Sequence, residues 1–232
     1  MTIKRNMDVE WNYTGDLGPE NWHNLCDWYS EGAKYPYQSP ISLNVKDCDS
    51  LPIEEELSIH HLRERFTEKE FKNTIHFVPY NTESYVVFKG EKYHLTDIHF
   101  HLPCEHEING KTYDLEVHLV HTNNHQENLV LGALYNLSDE LNWIDDNNPE
   151  NIWDFENHEE FFNPSIFLPN DSSFFHYLGS LTTPPTSGPI NWFVFDKIGK
   201  MSRNFINQFS EEILANNNRP LQDRRDRDIY YK

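Results

Sequence analysis

The stretch Thr96–Thr122, TDIHFHLPCEHEINGKTYDLEVHLVHT, decides how the rest of the chain is interpreted. Residues two apart in a β-strand point to the same face, so His99 and His101 can reach one point in space. The run EVHLVH is also typical of a strand, and Asn109-Gly110 between the two runs is a turn signal. An antiparallel pairing of these strands brings His118 opposite His99 and His101. Three imidazoles with a fourth position left open are the arrangement that a catalytic zinc needs.

Two carboxylates strengthen this interpretation. Asp97 precedes His99 by two residues and Glu116 precedes His118 by two, so each carboxylate shares a strand face with its histidine. A carboxylate there can accept the other ring N–H, which fixes the tautomer and makes the ligand more basic. A His-x-His pair alone is more often a half-buried surface pair, and the third histidine with its carboxylate outweighs that alternative. His121 points off this face, and we predict that it does not bind the metal.

Composition and charge exclude several classes of partner. The 232 residues suffice for one domain with a sizeable core, and we predict a single domain over residues 1–232 with a loose N-terminal arm at 1–10. A net charge of −19 opposes binding to nucleic acids and anionic membranes. No apolar run approaches the roughly 20 residues of a membrane span.

The cysteine content and the first residues indicate a compartment. Three cysteines give no disulfide framework, and an odd number suits a reducing cytosol. The start, MTIKRNMDVEW, has no apolar segment of a secretory signal. We therefore expect a cytoplasmic protein, although a chain that had lost its signal would look the same.

Short alternating runs predict a fold that is mainly β (α+β). Four of them, LSIHHL, FKNTIHFV, SYVVFKG and YHLTDIHFH, lie within residues 57–101, where the charged segment Arg63–Lys72 is also compatible with a helix. Asn128–Leu137 reads as a buried strand or a core helix, and periodicity does not separate the two. The acidic residues 138–164 read as solvated helices and loops, and a short helix is expected to start at Pro19-Glu20. We predict a single domain with a large central, mostly antiparallel twisted sheet and short peripheral helices.

Several motifs resemble an α-class carbonic anhydrase. HFHxPxEHxxNGxxYxxExHLVH looks like the zinc-binding core of that class, and its short HFHLPCEH turn is closer to the bacterial branch. YxGSLTTPP followed by NW resembles a second family motif, and Asn218-Arg219-Pro220-x-Gln222 with Arg227 beyond resembles a third. Trp11-x-Tyr13 followed by GPENW, and QSPI at Gln38–Ile41, are similar to segments nearer the start. The resemblance covers nearly the whole chain.

The resemblance implies an activity and a cofactor. The protein would bind Zn²⁺ through His99, His101 and His118 and act as a lyase (carbonate dehydratase), hydrating CO2 reversibly to bicarbonate and a proton by attack of zinc-bound hydroxide. A Thr182 hydroxyl that donates to Glu105 can only accept from that hydroxide, so this pair would select and orient it. The expected partners are CO2 and bicarbonate, with no nucleic acid and no membrane, and a homodimer is left open.

The resemblance also assigns the surroundings of the metal. Residues that would line the substrate pocket are Val120, Val130, Leu181, Thr183 and Trp192. Tyr13 and Asn73 would form a polar rim.

The sequence departs from the family pattern at a few positions. Bacterial members often have two cysteines, forming a disulfide, where this chain has Gly32 and Thr186. The absence of both fits a cytosolic protein. Asp97 stands where the family usually has Gln.

The proton-shuttle position is another departure. The usual shuttle is a histidine two residues after an asparagine, whereas here Ile75 follows Asn73 by two and His76 falls one later. A shift of one residue moves a side chain to the other strand face. Because Ile75 and Phe77 are apolar at period two, we expect both to face the cavity and His76 to face away. In the alternative register His76 faces the cavity and is the shuttle.

Two other protein classes share part of the pattern. Carbonic-anhydrase-like binding modules without catalysis usually lack one or more ligand histidines, whereas this chain has all three. His99-x-His101-x3-Glu105 also fits the first motif of a cupin barrel. That motif has a longer gap to its glycine than the one from Glu105 to Gly110, and it explains neither TTPP nor NRPLQ.

Overall fold

A computed structural model describes residues 9–52, 56–71, 74–140, 152–154, 156–208 and 216–232. Its strands are β1 Ser42–Leu43, β2 Asp49–Ser50, β3 Ser58–His60, β4 Glu64–Phe71, β5 Thr74–Pro79, β6 Tyr85–Phe88, β7 Glu91–His101, β8 Glu107–Ile108, β9 Leu115–Thr122, β10 Asn128–Ser138, β11 Ile152–Asp154, β12 Glu159–Phe162, β13 Phe174–Gly179, β14 Ile190–Phe195, β15 Gly199–Ser202 and β16 Ile229–Tyr231. Its α-helices are α1 Asp27–Gly32 and α2 Arg203–Gln208. Short 3-10 turns span Gly15–Leu17, Trp22–Asn24, Val45–Asp47 and Pro164–Phe167.

Fourteen of the described strands form one large mixed sheet. Its main path runs β11-β12-β4-β5-β7-β9-β10-β14-β13-β16-β2, with β15 beside β10 and with β6 joining β3 to β7. Most pairings are antiparallel, while β10 pairs in parallel with β14 and β15, and β16 with β2. The predicted mainly β fold with a large, mostly antiparallel sheet and short helices is therefore confirmed.

The two faces of this sheet bury two separate apolar clusters. Alternation along each strand sends neighbouring residues to opposite faces. One cluster, the rear core, includes Phe77, Phe100, Leu119 and Phe193. The other, the front core, includes Ile41, Val130, Leu134, Tyr177 and Trp192. Strand β10 contributes to both clusters.

The choice between strand and helix for residues 128–137 is settled by β10. Leu129–Tyr135 is buried without interruption because both faces of the strand are covered. No helix in the described part of the chain is long and apolar enough to cross a membrane.

Three local expectations differ from the structure. The charged segment 63–72 contains strand β4 and not a helix. Buried Glu64, Phe66 and Glu68 alternate there with more exposed neighbours, which is the period of a strand. Within residues 138–164, β11 and β12 form a hairpin held by Trp153 stacked on Phe162 at 4.6 Å. Residues 141–151 and 155 lie outside the described ranges, as do residues 1–8 of the predicted arm.

The third difference concerns the first helix. Pro19-Glu20 precedes only the 3-10 turn Trp22–Asn24, and the α-helix begins later, at Asp27.

The segments that would carry the family's disulfide meet without one. A Cβ added at Gly32 would lie 2.0 Å from the Pro185 carbonyl oxygen, so only glycine permits this close approach of backbone to backbone. Cys26, Cys48 and Cys104 are all free thiols.

Candidate metal centre

The three predicted ligand histidines converge from two adjacent strands. His99 of β7 is paired directly with His118 of β9, and His101 follows His99 on the same face. The ring centroids are 5.1 Å apart for His99 and His101, 5.2 Å for His99 and His118, and 4.6 Å for His101 and His118. One ring nitrogen from each histidine can lie within 4.8 Å of the other two. The two strands thus bring the three histidines together as their period-two spacing predicts.

Each histidine donates one ring N–H to a fixed acceptor and keeps its other nitrogen for a metal. The donor–acceptor distances are 2.6 Å from His99 Nδ1 to Asp97 Oδ2, 2.8 Å from His101 Nδ1 to the Asn217 carbonyl, and 2.8 Å from His118 Nε2 to Glu116 Oε1. The nitrogens left over are His99 Nε2, His101 Nε2 and His118 Nδ1. Among the described residues, the buried His101 Nε2 has no hydrogen-bond partner. Three imidazole nitrogens, each oriented by an acceptor on the opposite side of its ring, fit zinc.

The electrostatics keep the histidines neutral and their carboxylates ionised. Burial lowers the pKa of His99 to about 4 and that of His118 to about 3. Burial raises the pKa of Asp97 and Glu116, but the neighbouring imidazoles lower it by more, so both pKa values end far below the ordinary range. Neutral imidazoles beside ionised carboxylates are the state that a cation requires of its ligands.

The Glu116 carboxylate accepts four hydrogen bonds. Its Oε2 accepts the backbone N–H groups of Glu105 and His106 at 2.9 and 2.8 Å. Its Oε1 accepts His106 Nδ1–H at 2.6 Å and His118 Nε2–H at 2.8 Å. Gly132 lies opposite His118 on β10, and a Cβ there would be 3.1 Å from Glu116 Oε1. A glycine at this point leaves room for the carboxylate.

Residues without a predicted role support the Glu116 carboxylate and the histidines around it. His106 Nε2 accepts from the Tyr177 hydroxyl at 2.7 Å, and the Tyr177 and Ser39 hydroxyls are 2.9 Å apart. Asn217 accepts the His101 N–H through its carbonyl and donates its side-chain amide to the Phe100 carbonyl at 3.0 Å. His106 and Tyr177 stand inside the quoted motifs, so only their roles were missed.

Glu105 and Thr182 lie together beside the histidines. Glu105 Oε1 accepts the Arg219 backbone N–H at 2.8 Å, and its Oε2 is 4.0 Å from His118 Nδ1. Burial raises the pKa of Glu105, whereas His101, the Arg219 N–H and the Thr182 side chain act to lower it. Among the described residues, the buried Glu105 Oε2 has no hydrogen bond of regular geometry.

Of the two predicted rim residues, Tyr13 lies within electrostatic reach of Glu105. Burial and the Glu105 charge both raise the pKa of Tyr13. Asn73 lies outside the described residues.

The predicted pocket residues form an apolar wall next to the histidines. Val120, Val130 and Trp192 are direct partners across β9, β10 and β14, so they form one row on the front face. The Trp192 ring lies 4.8 Å from the His118 ring, and Leu181 packs against the same cluster. Thr183 is half-buried in the following loop, where its carbonyl accepts the Thr186 N–H at 2.8 Å.

His76 faces the metal side, contrary to the preferred register. It is the direct strand partner of His99, and its Nδ1 lies 2.7 Å from Asp97 Oδ1. Ile75 and Phe77 are instead buried in the rear core. Their period-two pattern marks the face that packs on this core, which leaves the front face to the polar residue between them.

His121 lies away from the centre, as predicted. It is buried, its Nδ1 is 3.0 Å from the Leu119 carbonyl, and its Nε2 is 3.1 Å from His61 Nε2.

With this geometry established, comparison with known proteins identifies the family. The family model for eukaryotic-type carbonic anhydrases matches residues 17–232. The chain belongs to this α-class carbonic anhydrase family. Zinc-dependent hydration of CO2 is the activity of the family, and membership excludes the cupin alternative.

Relatives and solved structures agree with this family membership. A carbonic anhydrase of Nostoc sp. is 31% identical over 94% of this chain and 84% of its own length. An α-carbonic anhydrase from Thermovibrio ammonificans, solved with the inhibitor sulfanilamide, has a TM-score of 0.82 at 30% identity and covers 96% of this chain and 99% of its own. Dioscorin dioA3 of Dioscorea japonica is 31% identical over 97% of this chain and 87% of its own length. A relative named carbonic anhydrase and a relative named dioscorin are therefore equally similar to this chain in sequence.

Proposed function

We propose that this chain is an active carbonic anhydrase that holds zinc through His99, His101 and His118. The observation that carries the proposal is the set of three converging nitrogens, each held in place by a hydrogen bond from the other side of its ring. The buried His101 Nε2 supports it further, since a buried nitrogen without a partner costs about 1–3 kcal/mol. Metal coordination would remove that cost.

The chemistry is divided between the metal and the chain. Zinc held by three histidines lowers the pKa of a coordinated water to about 7, as is established for this family. Glu105 is held by the Arg219 N–H and accepts from Thr182 when it is ionised. A divalent charge beside Glu105 would oppose the effect of burial and keep it ionised. The Thr182 oxygen then offers only lone pairs to the nucleophile and orients its attack.

The apolar row supplies the substrate subsite. Val120, Val130 and Trp192, with Leu181 nearby, offer a surface that accommodates uncharged CO2 without breaking hydrogen bonds. The same surface disfavours the bicarbonate anion, which loses hydration there. The apolar wall beside His118 would therefore favour both the binding of CO2 and the release of bicarbonate.

A binding module without catalysis is the rival function. It is disfavoured because the three histidines converge with an acceptor on each, and Thr182 lies beside Glu105 next to them. The likeness to a dioscorin does not by itself assign a role to this chain.

Metal analysis and a CO2 hydration assay on the same preparations test the proposal. We expect about one zinc per chain together with hydration activity, and we expect His118→Ala to lose both. His121→Ala is the matched control, because His121 lies on the same strand but on the rear face, and it should keep its zinc. Full zinc retention in His118→Ala, or zinc in the wild type without hydration, would refute the assignment.

We also propose a cytoplasmic location. The free thiols of Cys26, Cys48 and Cys104 and the Gly32–Pro185 contact at the family's disulfide position support a reducing environment. Cell fractionation with an antibody against the protein tests this, and recovery in a secreted fraction would contradict it.

A further inference from the structure

We propose that His76 is a positioning residue for the metal centre, acting through Asp97 on His99. The inference rests on the zinc assignment proposed above and extends it to a residue on a third strand. His76 would hold the Asp97 carboxylate in the orientation that keeps the metal-binding nitrogen of His99 in place.

The geometry is a carboxylate shared by two imidazoles. His99 Nδ1–H donates to Asp97 Oδ2 at 2.6 Å, and His76 Nδ1–H donates to Asp97 Oδ1 at 2.7 Å. His76 and His99 are direct partners across β5 and β7, with ring centroids 5.1 Å apart. Each carboxylate oxygen is therefore assigned to one ring, and the three side chains form a continuous chain of hydrogen bonds.

The three metal-facing histidines are anchored in different ways. His101 donates to the backbone carbonyl of Asn217, which cannot rotate freely. His118 donates to Glu116, whose two oxygens are held by three further N–H groups. His99 instead donates to Asp97, whose second oxygen is held by the His76 N–H.

This difference gives His76 its role. The terminal torsion of an aspartate is broad, so a carboxylate held at one oxygen can turn. A donor on Oδ1 fixes the carboxylate plane and keeps Oδ2 on His99 Nδ1. The His99 ring then stays in the tautomer and orientation that direct Nε2 toward the other two ligands. Because Asp97 is half-buried, an Oδ1 without its donor would also seek water or another partner.

Zinc release from the loaded protein to an excess of chelator, followed with a chromogenic zinc indicator, tests the inference directly. Loss of the direct partner of a metal ligand usually lowers metal affinity by about 10–100-fold, and His76 acts one group further out, so we expect His76→Ala to release zinc about 10-fold faster than the wild type. His76→Gln keeps an N–H donor and should restore much of the slow release. His94→Ala is the matched control, since His94 lies on β7 with its Nδ1 3.0 Å from the Thr82 carbonyl, and it should leave the release rate unchanged.

A double-mutant cycle separates positioning from a general structural effect. In an Asp97→Ala background the His76→Ala change should add little, because His76 acts through the missing carboxylate. An equal acceleration in both backgrounds, or no acceleration by His76→Ala alone, would overturn the inference. A loss of hydration rate that leaves zinc release unchanged and is restored by imidazole would also overturn it, because His76 would then carry protons.

The zinc content of the wild type distinguishes the two proposals. If the wild type binds no zinc, the proposed function fails and this inference fails with it. If the wild type binds zinc and His118→Ala does not, the metal assignment stands, and the release rates of the His76 variants alone decide.

Discussion

Glu160→Gln should change how the stability of this protein depends on pH. Glu160 lies on β12 with 1% of its surface exposed, close to Glu68 on the adjoining strand β4. Burial, followed by the charge of the nearby Glu68, raises the pKa of Glu160 to about 8. Among the described residues, neither carboxylate oxygen of Glu160 has a hydrogen-bond partner of regular geometry. His158 Nδ1 donates to Glu68 Oε1 at 2.8 Å, so this oxygen of Glu68 has its own partner.

The sign and size of the effect follow from this shift. The pKa of Glu160 is 4.5 in the unfolded chain and about 8 in the fold, so the protonated carboxyl is favoured by folding. Its contribution to stability is complete below about pH 4.5 and is lost as the pH rises through about 8. Between pH 5 and 9 the wild type should lose about 2–4 kcal/mol relative to Glu160→Gln, and the lower figure allows for water reaching the edge hairpin.

Urea unfolding of both zinc-loaded proteins, followed by tryptophan fluorescence at several pH values, measures the difference. Other titrating groups and the bound metal are common to both proteins, so they cancel in the comparison. Glu159→Gln is the matched control, because Glu159 is partly exposed and pairs with Arg65, and its difference from wild type should stay nearly flat. A Glu160→Gln difference that stays constant from pH 5 to 9 would show that Glu160 does not titrate in this range and would refute the reasoning.

Three further changes probe the centre and its support. Thr182→Val should lower kcat/KM for hydration about 10–100-fold with zinc content unchanged, because it removes the hydroxyl that orients the nucleophile; unchanged kinetics would contradict that role. Tyr177→Phe leaves His106 Nε2 without its donor and should lower the free energy of unfolding by about 1–3 kcal/mol in urea titrations, where no loss would contradict the network. Gly132→Ala places a methyl 3.1 Å from Glu116 Oε1 and should speed zinc release to a chelator severalfold, and an unaltered rate would show that the carboxylate has room to move.

The parts of the centre that could be predicted from the sequence depend on local strand geometry. His99 and His101 share a face because they are two residues apart, and Asp97 and Glu116 reach their histidines for the same reason. The turn signal at Asn109-Gly110 lies in the connection between β7 and β9, which pair antiparallel as predicted. These relations need only the period of a strand and one turn.

The acceptors that complete the centre come from distant parts of the chain. The Asn217 carbonyl holds a ring 116 residues away in sequence, and the Tyr177 hydroxyl holds His106 across 71 residues. No spacing rule connects such residues, because the order of strands in the sheet sets their proximity. Every residue also has a backbone carbonyl, so the residue type at position 217 does not identify it as the acceptor for His101.

For His76, the period-two pattern of the strand was correct, but the predicted sheet face was wrong. Ile75 and Phe77 do share one face, as period two requires, and they are buried at 1% and 0% exposure. The sheet has an apolar cluster on each side, so apolar character does not identify the side with the metal. Pairing of His76 with His99 decides the matter, since direct partners on adjacent strands project to the same face. A histidine between two core residues, on the strand next to a ligand strand, is therefore directed to the metal side by its neighbours, and its effect on zinc release tests whether that placement matters.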